Sequence, residues 1–224
     1  MKTSALLFRS LAGIATVFVL LFLSAGRFDY WQGWLYSVFS ILMILMNYLA
    51  MKGNPELISE RFKPGKGMKW WDKWFFRLSA PVYFAMLIVA GLDSGRFQWS
   101  PAFDPEIYVA GAALSLLGQG IFTLAKRQNH YFSSVVRIQT ERGHIVCDTG
   151  LYRIVRHPGY MGSILSNLGL PLLLGSMWCF IPTIFSIILI LIRTWLEDQT
   201  LKAELAGYIE YSDKTRFRIL PFIW

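Results

Sequence analysis

Long apolar blocks alternate along this chain with polar links that are short or basic. Six blocks stand out, at residues 5–25, 31–51, 74–92, 106–125, 160–174 and 177–196. Their apolar residues run in blocks rather than in amphipathic stripes, the pattern of helices that face lipid. In hydrocarbon each segment must satisfy its own backbone hydrogen bonds, so the blocks predict transmembrane α-helices. The fifth block is short, about 15 residues and near 22 Å as a helix. Gly175-Ser176 then turns the chain, so the last two helices form a short hairpin. The expected fold is all-α: a polytopic membrane protein of about six transmembrane helices. Residues 1–125 read as an N-terminal membrane anchor of four helices, and residues 126–224 as a C-terminal core that holds a cofactor pocket.

The links refine this picture. A basic start, an apolar run and Ser24-Ala25-Gly26 imitate a secretory signal, but the run is long, a second block follows at once and Leu23 spoils the cleavage site. The first block therefore reads as an uncleaved helix, with Arg9 snorkelling to the headgroups. Trp31 and Trp34 fit an interfacial aromatic belt. The link over residues 52–73 is polar and contains Asn54-Pro55-Glu56-Leu57 and Arg61-Phe62-Lys63-Pro64. Trp70, Trp71 and Trp74 close it as an expected interfacial segment before the third span. Pro81 is expected to kink that span or mark its start. Residues 93–105, with Gly95, Pro101 and Pro105, read as a turn-rich link.

Composition supports a membrane protein. Charged residues make up 16% of the chain, against about 25% in soluble domains, and the mean hydropathy is positive. The net charge of +8 reads as topology rather than nucleic-acid binding. Basic residues gather at the N-terminus, in links 52–73 and 126–159 and in the tail from Arg193, whereas the alternate links hold only Arg27 and Arg96. That bias puts both termini and both long loops in the cytosol. The absence of a transit-like or retention signal points to a prokaryotic inner membrane. Cys147 and Cys179 have neither a CxxC nor a metal spacing, so no disulfide framework is expected and Cys147 reads as a reduced thiol. His130, His144 and His157 lack the second cluster of acids that a metal site needs.

The chemistry concentrates at residues 148–162, a basic segment rich in Gly and Pro that runs into the fifth block, and at the end of the sixth. Polar groups near a membrane core are costly and mark function by default. Arg193 and Glu197, four residues apart, share one helix face, and Asp198 follows. An interfacial salt bridge at a helix end explains that pair equally well. Pro158 suits the first turn of a helix, and Gly150, Gly159 and Gly162 permit tight turns or close approach of backbone to a ligand. Singly these are ordinary interfacial residues. The hairpin, however, brings the end of the sixth span back to Arg156-His157-Pro158. One polar pocket then holds Arg156, His157, Tyr160, Arg193 and Glu197, open to the cytosol and to lipid.

Residues 126–224 resemble the superfamily of isoprenylcysteine carboxyl methyltransferases and phospholipid methyltransferases, which are integral membrane enzymes. The matching pieces are Asn129-His130, His144-Ile145-Val146, Thr149-Gly150-Leu151-Tyr152, Arg156-His157-Pro158-Gly159-Tyr160-Met161-Gly162, then Arg193, Glu197-Asp198, Leu201, Gly207-Tyr208, Tyr211 and the stretch 216–221. Asn54-Pro55-Glu56-Leu57 followed by Arg61 is similar to the bacterial-type members. The resemblance implies S-adenosylmethionine as cofactor, bound by His144, Gly150, Tyr152, Arg156, His157, Tyr160, Glu197 and Asp198, with Arg193 and Glu197 as the catalytic pair. Asp198 stands one methylene shorter than the second acid common in the family. No Gly-rich fingerprint follows a strand, which excludes a soluble dinucleotide-type methyltransferase fold. Glu197 suits the cofactor's cationic groups, and Tyr152 or Tyr160 its sulfonium. Arg156, His157 and His144 suit its carboxylate or hydroxyls. In-line transfer depends chiefly on alignment. A carboxylate acceptor needs only a positioning arginine, Arg193, whereas an amine or thiol needs a base, for which Glu197 is the candidate. The implied activity is methyl transfer to a lipophilic acceptor from the bilayer, such as an isoprenylcysteine carboxylate, a phospholipid amine or a small thiol. Two other classes stand beside it: an NADPH-dependent protein similar to sterol reductases, and a non-enzymatic membrane protein.

Overall fold

The computed structural model describes residues 2–51 and 67–224. The motifs Asn54-Pro55-Glu56-Leu57 and Arg61-Phe62-Lys63-Pro64 lie outside the described residues, as does the side chain of Arg9. The fold is all-α. Helix α1 runs Lys2–Ala25, α2 Trp31–Met51, α3 Trp70–Ala90, α4 Pro105–Gln128, α5 Pro158–Leu174, α6 Phe180–Glu204 and α7 Tyr208–Lys214. A π-helical segment, Gly91–Phe97, extends α3, and single 3-10 turns form at Thr140–Arg142 and Gly150–Arg153. Among the described residues four helical stretches are long and apolar enough to cross a membrane: Trp31–Leu49, Trp70–Phe97, Pro105–Gln128 and Phe180–Glu204. The protein is thus a multi-pass integral membrane protein.

Three boundaries differ from the sequence pattern. Trp70, Trp71 and Trp74 are not a separate interfacial segment. They form the first turns of α3, where the amides of Asp72 and Lys73 bond to the carbonyl of Lys69 at 3.1 and 3.4 Å. Pro81 lies inside that helix. Residues 93–97, expected within a turn-rich link, continue the helix, because Asp93 is drawn into the interior by the bonds described below. Finally, α6 starts at Phe180 and runs beyond residue 196 to Glu204. Its last turns remain helical because Leu201 and Leu205 pack into a buried cluster with Ala125, Tyr152, Tyr208 and Tyr211.

The chain divides into two compact units. The first comprises Met1–Met46, Ala80–Leu117 and Leu165–Ser186, the second Asn47–Ser79, Gly118–Ile164 and Ile187–Trp224.

The first unit is built on Leu21, Phe22, Met86, Leu87, Leu170 and Leu174, all nearly inaccessible. Small residues let its helices approach closely. A Cβ at Gly111 would lie 2.7 Å from Cβ of Leu172, and one at Gly169 would collide with Ser115. This is the small-residue packing that replaces hydrophobic attraction between helices in lipid. Its main polar centre is the carboxylate of Asp93, fully buried. Oδ1 accepts the amide of Ser100 at 2.7 Å, and Oδ2 accepts the hydroxyls of Ser100 and Ser176, each at 2.6 Å. Beside it Tyr30 and Ser94 share a 2.8 Å hydrogen bond, and the Ser94 hydroxyl also bonds to the carbonyl of Leu174 at 2.6 Å.

The second unit is described with the site it contains.

A buried carboxylate without its donors is costly, and so are the donors without it, at about 1.5–3 kcal/mol for each charged hydrogen bond. Asp93→Ala is therefore expected to destabilise the protein by about 3 kcal/mol or more, and Ser176→Ala by about 1 kcal/mol. Thermal unfolding of the two variants in detergent checks the order, with Asp93→Ala melting well below Ser176→Ala.

Candidate active site

The second unit is organised by the dipeptide Arg156-His157. Pro158 is the first residue of α5, where its missing N–H costs nothing. The residues before it lie outside any helix and pair with the tail: the amide of Arg156 donates to the carbonyl of Phe217 at 2.9 Å, and that of His157 to the carbonyl of Arg218 at 2.8 Å. The side chains converge on Asp198, which is fully buried. Arg156 grips it in a fork, Nε to Oδ1 at 2.8 Å and Nη2 to Oδ2 at 3.1 Å. His157 Nε2 is 3.3 Å from Oδ1, the Tyr208 hydroxyl donates to Oδ1 at 3.0 Å, and Arg218 Nε donates to Oδ2 at 3.1 Å. Arg156 Nη1 reaches further, to the carbonyls of Thr215 and Arg216 at 2.7 and 2.8 Å. Burial, with Asp198 beside it, holds the Tyr208 phenol well above its ordinary pKa, so it stays a neutral donor.

Next to this cluster lies a cavity of about 340 Å³. Helix α3 contributes Phe75 and Phe76, and α4 contributes Phe122 and Lys126. The segment between α4 and α5 supplies Tyr131, Phe132, Arg137, His144 and Cys147. Arg156, His157 and Tyr160 face it from the start of α5, and Arg193 and Glu197 from α6. The five residues expected to share one pocket are thus all in one wall. Tyr152, Tyr208 and Tyr211 complete it. Glu197 is the acid in that wall among the described residues, and its carboxylate accepts the Tyr160 hydroxyl. Arg193 is paired with Asp72 across the unit, Nε to Oδ1 at 2.9 Å, and Nη2 donates to the carbonyl of Ser134 at 2.8 Å. Its guanidinium lies 4.3 Å from the Phe75 ring centre and 5.5 Å from that of Tyr160.

Two residues expected at the cofactor stand outside the wall. Asp198 and Glu197 are adjacent on α6 and so point about 100° apart; the cavity receives Glu197 and the Arg156 cluster receives Asp198. Gly150 adopts a left-handed φ of +56°, which a side chain rarely tolerates, and a Cβ there would collide with Gln128. The carbonyl oxygen of the Gln128 side chain instead accepts the amide of Leu151 at 2.9 Å. Asp72 was not among the expected site residues. The run Trp70-Trp71-Asp72-Lys73-Trp74 draws attention to its aromatics, yet an acid heading an apolar block is itself a signal. Among the described residues no group of three or more His, Cys, Asp and Glu is arranged to hold a metal ion. Both cysteines are free thiols.

His144 stacks on Tyr131 with ring centres 4.4 Å apart, and its Nδ1 accepts the amide of Gln139 at 3.2 Å. Burial first, then Arg137 and Arg142, hold its pKa below the ordinary 6.5. The folded protein then binds fewer protons than the unfolded chain, so stability is full above about pH 6.5 and declines as pH falls below it. Protonation also removes the acceptor of the Gln139 amide. Melting temperature is expected to fall from about pH 7.5 to 5.5 with a slope that His144→Gln reduces.

Residues 111–203 match the model of the isoprenylcysteine carboxyl methyltransferase (ICMT) family. The chain is 31% identical over 189 residues to a protein-S-isoprenylcysteine O-methyltransferase of Saccharomyces cerevisiae, covering 82% of this chain and 77% of the yeast protein. It is also 29% identical over 129 residues to a Delta(14)-sterol reductase of Methylotuvimicrobium alcaliphilum, covering 52% of this chain and 30% of that protein. The chain belongs to the isoprenylcysteine carboxyl methyltransferase family and is a membrane-embedded methyltransferase that uses S-adenosylmethionine and acts on a lipophilic substrate.

Proposed function

We propose that the cavity of the second unit binds S-adenosylmethionine together with the reactive end of an isoprenylcysteine-like acceptor, and that a carboxylate of that acceptor is methylated there. The observation that carries this reading is the wall itself: among the described residues one acid, Glu197, set among Arg137, Arg156, Arg193 and aromatic rings around about 340 Å³. That volume lies in the range of pockets for small ligands, about 300–1,000 Å³. The donor set fits the cofactor. Glu197 meets the charge of an ammonium or sulfonium, Phe122, Phe132 and Tyr160 offer ring faces to a cation, and Arg137 and His144 suit a carboxylate or hydroxyls. When bound, the cofactor supplies an electrophilic methyl group.

The protein's part is placement. Tyr160 donates to Glu197 and fixes the direction in which that carboxylate accepts further bonds. Arg193 offers a guanidinium to an acceptor carboxylate, which is already nucleophilic and needs no base. The Arg156–Asp198 cluster holds His157 and Tyr208 against the wall. An amine or thiol acceptor would instead require a base to take its proton, a role for which Glu197 is the acid at hand. We read the chain as crossing the bilayer about six times, α5 and α6 as a hairpin, and both termini with the site as cytosolic, in keeping with the basic links. We take residues 126–224 as the catalytic part and 1–125 as the anchor, to which the site adds Phe75 and Phe76.

Calorimetry with detergent-purified protein tests the reading. Wild type is expected to bind S-adenosylmethionine, and Glu197→Gln to bind it about tenfold to a hundredfold more weakly, the loss of one charged hydrogen bond. Labelled methyl groups are expected on an S-farnesylcysteine carboxylate rather than on phosphatidylethanolamine. Transfer to the lipid amine alone, or undiminished binding by Glu197→Gln, contradicts the assignment.

A further inference from the structure

Asp72 stands in the first turn of α3, fully buried, in the part of the chain that the sequence pattern assigns to the anchor. Its contacts are specific. Oδ1 lies 2.9 Å from Arg193 Nε, and Oδ2 accepts Arg193 Nη2 at 3.3 Å. The Nε–Oδ1 contact is not aligned as a hydrogen bond, so its attraction is Coulombic. Oδ2 also accepts the amide of Val136 at 2.8 Å, and Arg193 Nη2 donates to the carbonyl of Ser134 at 2.8 Å. One carboxylate therefore ties together the arginine of α6 and the loop that forms the cavity wall. Phe75 and Phe76 of the same helix lie 4.3 and 5.1 Å from the guanidinium, so α3 supplies both its counter-charge and its aromatic bed.

This geometry leaves a distinct edge of Arg193. Nη2 is hydrogen-bonded to Asp72 and Ser134, and Nε faces Asp72 Oδ1 as an ion-pair contact, whereas among the described residues Nη1 has neither a hydrogen-bond partner nor a facing carboxylate. Arg193 also lies four residues before Glu197 on α6, close enough for the two to pair directly. Such a pair would cancel the acid that faces the cofactor and the cation that faces the acceptor. Asp72 offers Arg193 another counter-ion and so keeps the two charges of the cavity apart.

We propose that Asp72 is a positioning residue for methyl transfer: it holds the Arg193 guanidinium away from Glu197, with the Nη1 edge presented to the acceptor. The proposal rests on the reading of Arg193 as the acceptor-orienting residue. The expected effect of Asp72→Asn is a loss in kcat/KM for the acceptor on the order of 100-fold, the scale of an ångström's misplacement. In an Arg193→Ala background Asp72→Asn costs nothing further, because there is no guanidinium left to place. A structural role predicts the same loss in both backgrounds.

A second readout does not depend on turnover. Phenylglyoxal modifies accessible guanidinium groups, and peptide mass spectrometry locates them. In Asp72→Asn the modification of Arg193 is expected to rise at least tenfold, while Arg156, held by Asp198, stays protected. Equal Arg193 rates in wild type and variant, or a joint rise of Arg193 and Arg156, overturn the proposal. If wild type methylates no isoprenylcysteine acceptor, the acceptor assignment fails and the labelling still decides the role of Asp72. Should Asp72→Asn not fold, Asp72→Glu, which keeps the charge but moves it by one methylene, takes its place in both assays with a smaller expected change.

Discussion

The carboxylate of Asp198 is the interaction on which the rest of the second unit depends. It is fully buried and surrounded by Arg156, His157, Tyr208 and Arg218. A lone charge in that position would be prohibitively costly, and the forked arginine together with two further donors makes it tolerable. Because the partners come from the start of α5, from α7 and from the tail, one anion draws together segments far apart in sequence. Removing one member of such a cluster typically costs about 3–5 kcal/mol, mainly through the charge left unpaired. The tail is fixed from the same place, since the backbone of Arg156 and His157 pairs with Phe217 and Arg218.

The same constraint divides the labour of two adjacent acids. Successive residues of a helix point about 100° apart, so Glu197 and Asp198 look into different surroundings. Asp198 faces a cluster of donors and organises structure. Glu197 faces the cavity, with Tyr160 as its protein donor. A parallel separation governs the cations. Arg156 is spent on Asp198 and on backbone carbonyls, whereas Arg193 draws its counter-charge from Asp72 of α3.

Much of this was legible in the sequence for identifiable reasons. Apolar blocks announce helices in lipid without any tertiary information, because the backbone has no other way to satisfy itself there. Arg156, His157, Tyr160, Arg193 and Glu197 stood out because polar groups beside apolar blocks demand explanation, and all five line one cavity. The pattern was silent where long-range partners decide the outcome. Asp93 looked like a turn residue, and only Ser100 and Ser176 make it the buried centre of the first unit. Asp72 went unread among the tryptophans around it, and only Arg193, far along the chain, pairs with it. Gly150 was read as permitting either a tight turn or close approach to a ligand, and its left-handed backbone forms a turn against Gln128.

The most direct test of the account is photo-cross-linking of radiolabelled S-adenosylmethionine to the detergent-purified full chain, with peptide mapping of the label. The account predicts incorporation into peptides that line the cavity, those spanning residues 129–160 and 190–211, and competition by excess S-adenosylhomocysteine. Competable label confined to peptides of the first unit, such as those spanning residues 80–117, would contradict it.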